Sequence, residues 1–120
     1  MKALIVVLAA FIYSSPVWSE DCSEAYSSAD DAYTYARRGY NASDLEEVHE
    51  NARRAMSAAD DAMSSSEDCE CDDAYSAADD AHTYAKRAFN AEEFDVAVDY
   101  MRKAKSAADD AMSYAEDCGT

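Results

Sequence analysis

The sequence predicts an all-α fold: two tandem, disulfide-closed antiparallel helical hairpins that together form a four-helix bundle. Three observations carry that expectation. The chain matches itself without a gap at an offset of 49 residues, 22–69 onto 71–118, so it holds two copies of one unit. Proline is absent after Pro16, glycine occurs only at Gly39 and Gly119, and alanine is abundant, which together favour uninterrupted helix. The phrase SxADDA begins at residues 27, 57, 76 and 106, twice in each unit, which puts one copy on each of four helices.

The first element is not part of the bundle. Met1-Lys2, the apolar run Ala3–Tyr13 and the small residues up to Ser19 have the pattern of a secretory signal peptide over 1–19. Val17 and Ser19 suit the positions three and one before cleavage. The apolar run has eleven residues, against the roughly 20 that a membrane span needs. No later stretch is apolar enough to span, so no stable membrane segment is expected. The remainder, 20–120, reads as a single helical domain made of two repeats, 22–69 and 71–118. It carries 9 Lys and Arg against 26 Asp and Glu, a net charge of −17. A surface this acidic repels nucleic acid and suits cations or a basic protein. The expected location is periplasmic or extracellular.

The helices follow in order. The first is expected over 22–41, with a turn near Gly39–Asp44. Ser43 followed by Glu46 has the form of a capping box and opens a second helix over 44–68. Cys69-Glu70-Cys71 joins the units. The third helix is expected over 71–90. Asn90 with Glu93 repeats the capping pattern and opens the fourth over 92–117. A rod of hairpins placed end to end is the alternative arrangement.

What brings each pair of helices together is alanine. Cys22, Ala25, Ala29, Ala32 and Ala36 are spaced by three and four residues, a seam of period 3.5. Ala52, Ala55, Ala59, Ala62, Ser66 and Cys69 repeat the spacing on the next helix. Laid antiparallel, Ala25 faces Ser66, Ala29 faces Ala62, Ala32 faces Ala59, Ala36 faces Ala55 and Gly39 faces Ala52. The second unit pairs Ala74 with Ala115, Ala78 with Ala111, Ala81 with Ala108, Ala85 with Ala104 and Ala88 with Met101. Small residues on both sides let the axes approach to the short end of the usual ~8–10 Å. The same register sets Cys22 opposite Cys69 and Cys71 opposite Cys118. Of the three possible pairings only this one follows the seam, and an even cysteine count behind a signal peptide favours disulfides. Each bridge closes a loop worth on the order of 4 kcal/mol by chain entropy. Beside the seam, Tyr26, Tyr33, Tyr40, His49, Met56 and Met63, with Tyr75, His82, Phe89, Val98, Lys105 and Met112, form a stripe. That stripe is expected to be core, packing one hairpin on the other.

The paired aspartates of the phrase, Asp30, Asp31, Asp60, Asp61, Asp79, Asp80, Asp109 and Asp110, fall on outward positions. They read first as a solvated face and second as weak divalent-cation ligands. A calcium loop of the D-x-D-x-D-G kind is missing. Cys69-Glu70-Cys71, if reduced, would suit a soft metal; behind a signal peptide the bridges are expected instead. His49 and His82 stand at different places in their units and have no ligand-spaced partner. Tandem alanine-rich hairpins behind a leader resemble periplasmic four-helix metal-binding proteins in layout, but those carry histidines along the helices where this chain has tyrosine and aspartate. Asn41-Ala42-Ser43 matches the N-glycosylation pattern at an expected exposed turn. No nucleophile–base ordering, glycine loop, HExxH or CxxC is present, so no catalytic residue is assigned. The expected function is that of an exported, non-enzymatic acidic helical module for a basic or cationic partner. The alternative is low-affinity divalent metal binding by the clustered aspartates. No cofactor beyond such a weakly held cation is expected.

Overall fold

A computed structural model describes residues 22–118; the expected leader at 1–19 lies outside them. Four helices follow one another: α1 (Ser23–Tyr40), α2 (Leu45–Asp68), α3 (Asp72–Asn90) and α4 (Phe94–Cys118). Each boundary lies within two residues of its expected place. α1 packs along α2, α2 along α3, α3 along α4 and α4 back along α1, while the diagonal pairs barely touch. The arrangement is a closed four-helix bundle with antiparallel neighbours, and the end-to-end rod is excluded.

The core is built almost entirely of alanine, in layers that take one residue from each helix. Ala29, Ala62, Ala78 and Ala111 belong to one such cluster. Ala32, Ala59, Ala81 and Ala108 belong to the next, and Ala36, Ala55, Ala85 and Ala104 to the one beyond it. Val48, Ala97 and Met101 fill the end near the intra-hairpin turns, all fully buried. The residue pairs read from the sequence are therefore right, but their meaning differs. They are not two separate seams joined through a third interface. The seam residues of all four helices turn toward one common axis.

This corrects the expectation for the aromatic stripe. Tyr26, Tyr40 and Tyr75 are 40%, 37% and 40% exposed, and Tyr33 and His82 are half-buried. Alanine at both inward positions draws the helices too close for a ring to enter between them. The stripe instead lies over the two grooves where hairpin meets hairpin. In one, the Lys105 ammonium sits 4.9 Å from the Tyr40 ring centroid. In the other, the His49 and Phe89 rings are 5.7 Å apart.

Two caps also differ from expectation. The N-cap of α2 is Asp44, one residue later than Ser43: its Oδ1 accepts from Glu47 N–H at 2.9 Å. Glu47 in turn accepts from Ser43 N–H at 3.1 Å. Asn90 is not a cap for α4 but the last residue of α3. The joint between the hairpins is tighter. Cys69 is the C-cap of α2, and Glu70 takes the left-handed conformation, φ 59°, where helices more often place glycine. Cys71 N–H closes the turn onto Ser66 O at 2.9 Å.

Candidate functional site

The disulfide end of the bundle gathers the chemistry-bearing side chains. Cys22 caps the N-terminus of α1 and Cys71 that of α3; Cys69 follows the last turn of α2 and Cys118 ends α4. Antiparallel packing brings all four to one end. Cys22 is bonded to Cys69 with Cα atoms 5.5 Å apart, and Cys71 to Cys118 at 6.1 Å, the pairing that the alanine register specifies. Cys22 and Cys71 are buried, Cys69 is half-buried and Cys118 is exposed. The two bridges are close neighbours: the sulfurs of Cys22, Cys71 and Cys118 lie within 4.8 Å of one another.

All eight aspartates of the repeated phrase are exposed. The flanking alanines share core layers, Ala29 with Ala62 and Ala78 with Ala111, and that register sets Asp30 and Asp31 opposite Asp61 and Asp60, and Asp79 and Asp80 opposite Asp110 and Asp109. Neighbouring positions on the outer face of a helix diverge, so these side chains do not converge. Among the described residues, the three sulfurs are the one set of three ligating atoms within 4.8 Å of one another. The carboxylates add negative field along these faces without forming a coordination shell.

That field is unevenly placed. The half of the bundle nearest the bridges comprises 22–34, 57–83 and 106–118. It holds sixteen Asp and Glu and not one Lys or Arg. The half nearest the intra-hairpin turns, 35–56 and 84–105, holds all nine Lys and Arg of the described residues with eight Asp and Glu. Several of the charges there are paired. Arg54 meets Glu50 at 2.9 Å and Arg102 meets Asp99 at 2.7 Å. The hydrogen bond from Arg102 holds the Asp99 carboxyl below its ordinary value; desolvation opposes it, and the Arg102 and Lys103 charges add to the lowering. Arg38 and Arg54 flank the Tyr35 ring, and Arg87 and Lys103 the Tyr84 ring.

The acidic half goes against one local rule. A helix C-terminus carries partial negative charge and favours Lys or Arg nearby. α2 ends on Glu67 and Asp68, α4 on Glu116 and Asp117, and neither has a base in its last turn. A covalent bridge ties down each of those two ends.

An open groove of about 330 Å³ runs along α1 and α2 in this half, lined by Glu24, Ser27, Ser28, Asp61, Ser64 and Ser65. Small serines leave the space, and the two acids make it another cation-facing surface. Asn41, exposed at the C-cap of α1, and Ser43 lie at the opposite end. His49 is there too, its Nε2 hydrogen donating to the carbonyl of Ala91 at 2.8 Å. That contact braces the two turns together.

The sequence reading missed the partition of charge. Its signal was present: every Lys and Arg after Lys2 lies within a dozen residues of an intra-hairpin turn. Summing charge over the whole chain hides this, and it becomes visible only once the hairpins are folded. The closeness of the two bridges was missed for a different reason, since it depends on how hairpin packs against hairpin. No known protein family, characterised protein or solved structure matches this chain in comparisons of sequence and fold.

Proposed function

We propose that the protein is an exported, non-enzymatic acidic module that binds a basic or cationic partner through the disulfide half of its bundle. The observation that supports this most is the segregation of charge: sixteen carboxylates with no base among them, at one end of a bundle whose other end is close to neutral. Solubility alone is served by interspersed signs with a net charge away from zero and does not require that every Lys and Arg be kept out of one half. A concentrated field of one sign attracts an oppositely charged partner from a distance and orients it on approach. The two bridges suit an oxidising compartment, which agrees with the leader-like first nineteen residues.

The test is binding of a lysine-rich peptide by calorimetry at two salt concentrations. Affinity should fall at least about tenfold between 20 and 300 mM salt, because exposed charges are screened beyond roughly one Debye length. Replacing Asp60, Asp61, Asp109 and Asp110 by Asn should weaken binding strongly. Replacing Glu92, Glu93 and Asp95 by their amides should not. Equal effects from the two sets, or binding indifferent to salt, would remove the proposal.

The second reading, divalent cations held loosely by the same aspartates, draws on the level placement of Asp30 and Asp31 with Asp61 and Asp60. Calorimetry with calcium, copper and zinc on oxidised protein distinguishes it. Absence of heat at millimolar metal rules it out.

A further inference from the structure

The two bridges lie within reach of each other, and each joins unlike partners. One sulfur of each pair, Cys22 and Cys71, is buried at a helix N-cap; the other, Cys69 and Cys118, stands at a helix C-terminus and is more exposed. We propose that this pair of neighbouring bridges is a thiol–disulfide exchange site that takes a cationic thiol and re-pairs as Cys22–Cys118 with Cys69–Cys71.

The chemistry follows from position. Exchange begins by attack of a thiolate on an accessible sulfur, and it is faster when the departing thiolate is stabilised. An incoming thiolate RS⁻ that attacks Cys69 forms a mixed disulfide there and expels Cys22. The Cys22 thiolate leaves at the N-terminus of α1, where the helix dipole favours negative charge. Cys118 lies within 4.8 Å of it. Attack there forms Cys22–Cys118 and expels Cys71 at the equivalent N-terminus of α3. The Cys71 thiolate, two residues along the chain from Cys69, then attacks the mixed disulfide, forms Cys69–Cys71 and releases RS⁻. Two disulfides enter and two leave, the external thiol is returned, and nothing is oxidised or reduced overall.

The fold makes the new bridge comparable to the old. α1 and α4 are antiparallel neighbours, as α1 and α2 are. Cys22–Cys118 would again join a helix start to a helix end. It would differ in what it ties: the first and last helices of the domain rather than the two arms of one hairpin.

The surroundings choose the thiol. Glu67, Asp68, Glu70, Asp72, Asp73, Glu116 and Asp117 lie within three residues of the cysteines in sequence, with no Lys or Arg in that half. An anionic thiol is repelled and a cationic one drawn in.

The experiment uses the oxidised full domain with a tenth of an equivalent of cysteamine at pH 8 and low salt, quenched with acid, alkylated and mapped by peptide mass. The expected result is a Cys22–Cys118 cross-linked peptide that accumulates with time without loss of total disulfide. Mercaptoethanesulfonate, of similar size but anionic, should act at least about tenfold more slowly, and added salt should narrow the gap. A second measurement needs no external thiol. In Cys71→Ser, the free Cys118 should exchange onto Cys22, giving a mixture of Cys22–Cys69 and Cys22–Cys118. Recovery of only the native pairs in both experiments overturns the proposal. Equal rates with the two thiols overturn its choice of a cationic one.

Discussion

Gly39 and Met101 share one layer of the core, and each explains the other. A Cβ on Gly39 would stand 2.5 Å from Met101 Cε and 3.1 Å from its Cγ. In the repeat, Gly39 corresponds to Ala88 and Ala52 to Met101, so one unit gave up a methyl where the other gained a long side chain. Gly39 keeps an ordinary helical backbone, with no positive φ. Alanine there is conformationally acceptable and by propensity would favour the helix by about 1 kcal/mol. Crowding against a fully buried methionine opposes it by about 1–3 kcal/mol. We predict that Gly39→Ala destabilises the wild-type protein by about 1 kcal/mol in urea unfolding. In a Met101→Ala background the same change should stabilise by up to about 1 kcal/mol. Failure of the sign to reverse would mean that the two residues do not compete for one space. The sequence paired Gly39 with Ala52 and Ala88 with Met101, within hairpins. The contact that matters crosses between hairpins, and a register worked out inside one unit cannot reveal it.

At the scale of elements, much was legible because local signals and the repeat agreed. Two copies of each helix, spaced by 49 residues, gave two readings of the same pattern, and the seam that fixed helix register also fixed the disulfides. Caps were less legible because several polar residues competed for one place. Ser43 and Asp44 are adjacent potential caps, each with a glutamate three residues on. Asp44 prevails, and Glu47 rather than Glu46 reaches back to the Ser43 backbone. Asp44→Ala should therefore cost about 1 kcal/mol, measured by urea denaturation, while Ser43→Ala should cost only a few tenths. The reverse order would restore Ser43 as the cap. The aromatic stripe failed for another reason. Large apolar residues at helical spacing ordinarily mark a core, but that rule assumes room between helices. Here Ala25, Ala29, Ala32 and Ala36 close the space first, and Tyr26 and Tyr33 are left at its rim.

Across the whole molecule, the alanine core and the acidic half pull in opposite directions. An alanine contributes little buried apolar area, so this bundle draws less from its core than a leucine bundle of equal length. The sixteen carboxylates around the bridges repel one another, and at low salt that repulsion subtracts from stability. The disulfides answer both terms at the end where they are needed, each adding on the order of 4 kcal/mol by restricting the unfolded chain. If the acidic half is a cost retained for binding, relieving it should stabilise the fold. Replacing Asp60, Asp61, Asp109 and Asp110 by Asn leaves every core residue in place, and asparagine and aspartate have similar helix propensities. That variant should gain about 1 kcal/mol at low salt, which raises Tm by roughly 5 °C in a domain of this size. The gain should shrink as salt approaches 0.5 M, where screening does the same work. Amide substitution of Glu92, Glu93 and Asp95, in the half where bases balance acids, should give no comparable gain. Thermal unfolding of both variants at 10 mM and 0.5 M salt measures all four quantities. A variant that gains nothing at low salt would show that the aspartates do not strain the fold. Their segregation would then carry no stability cost for function to justify.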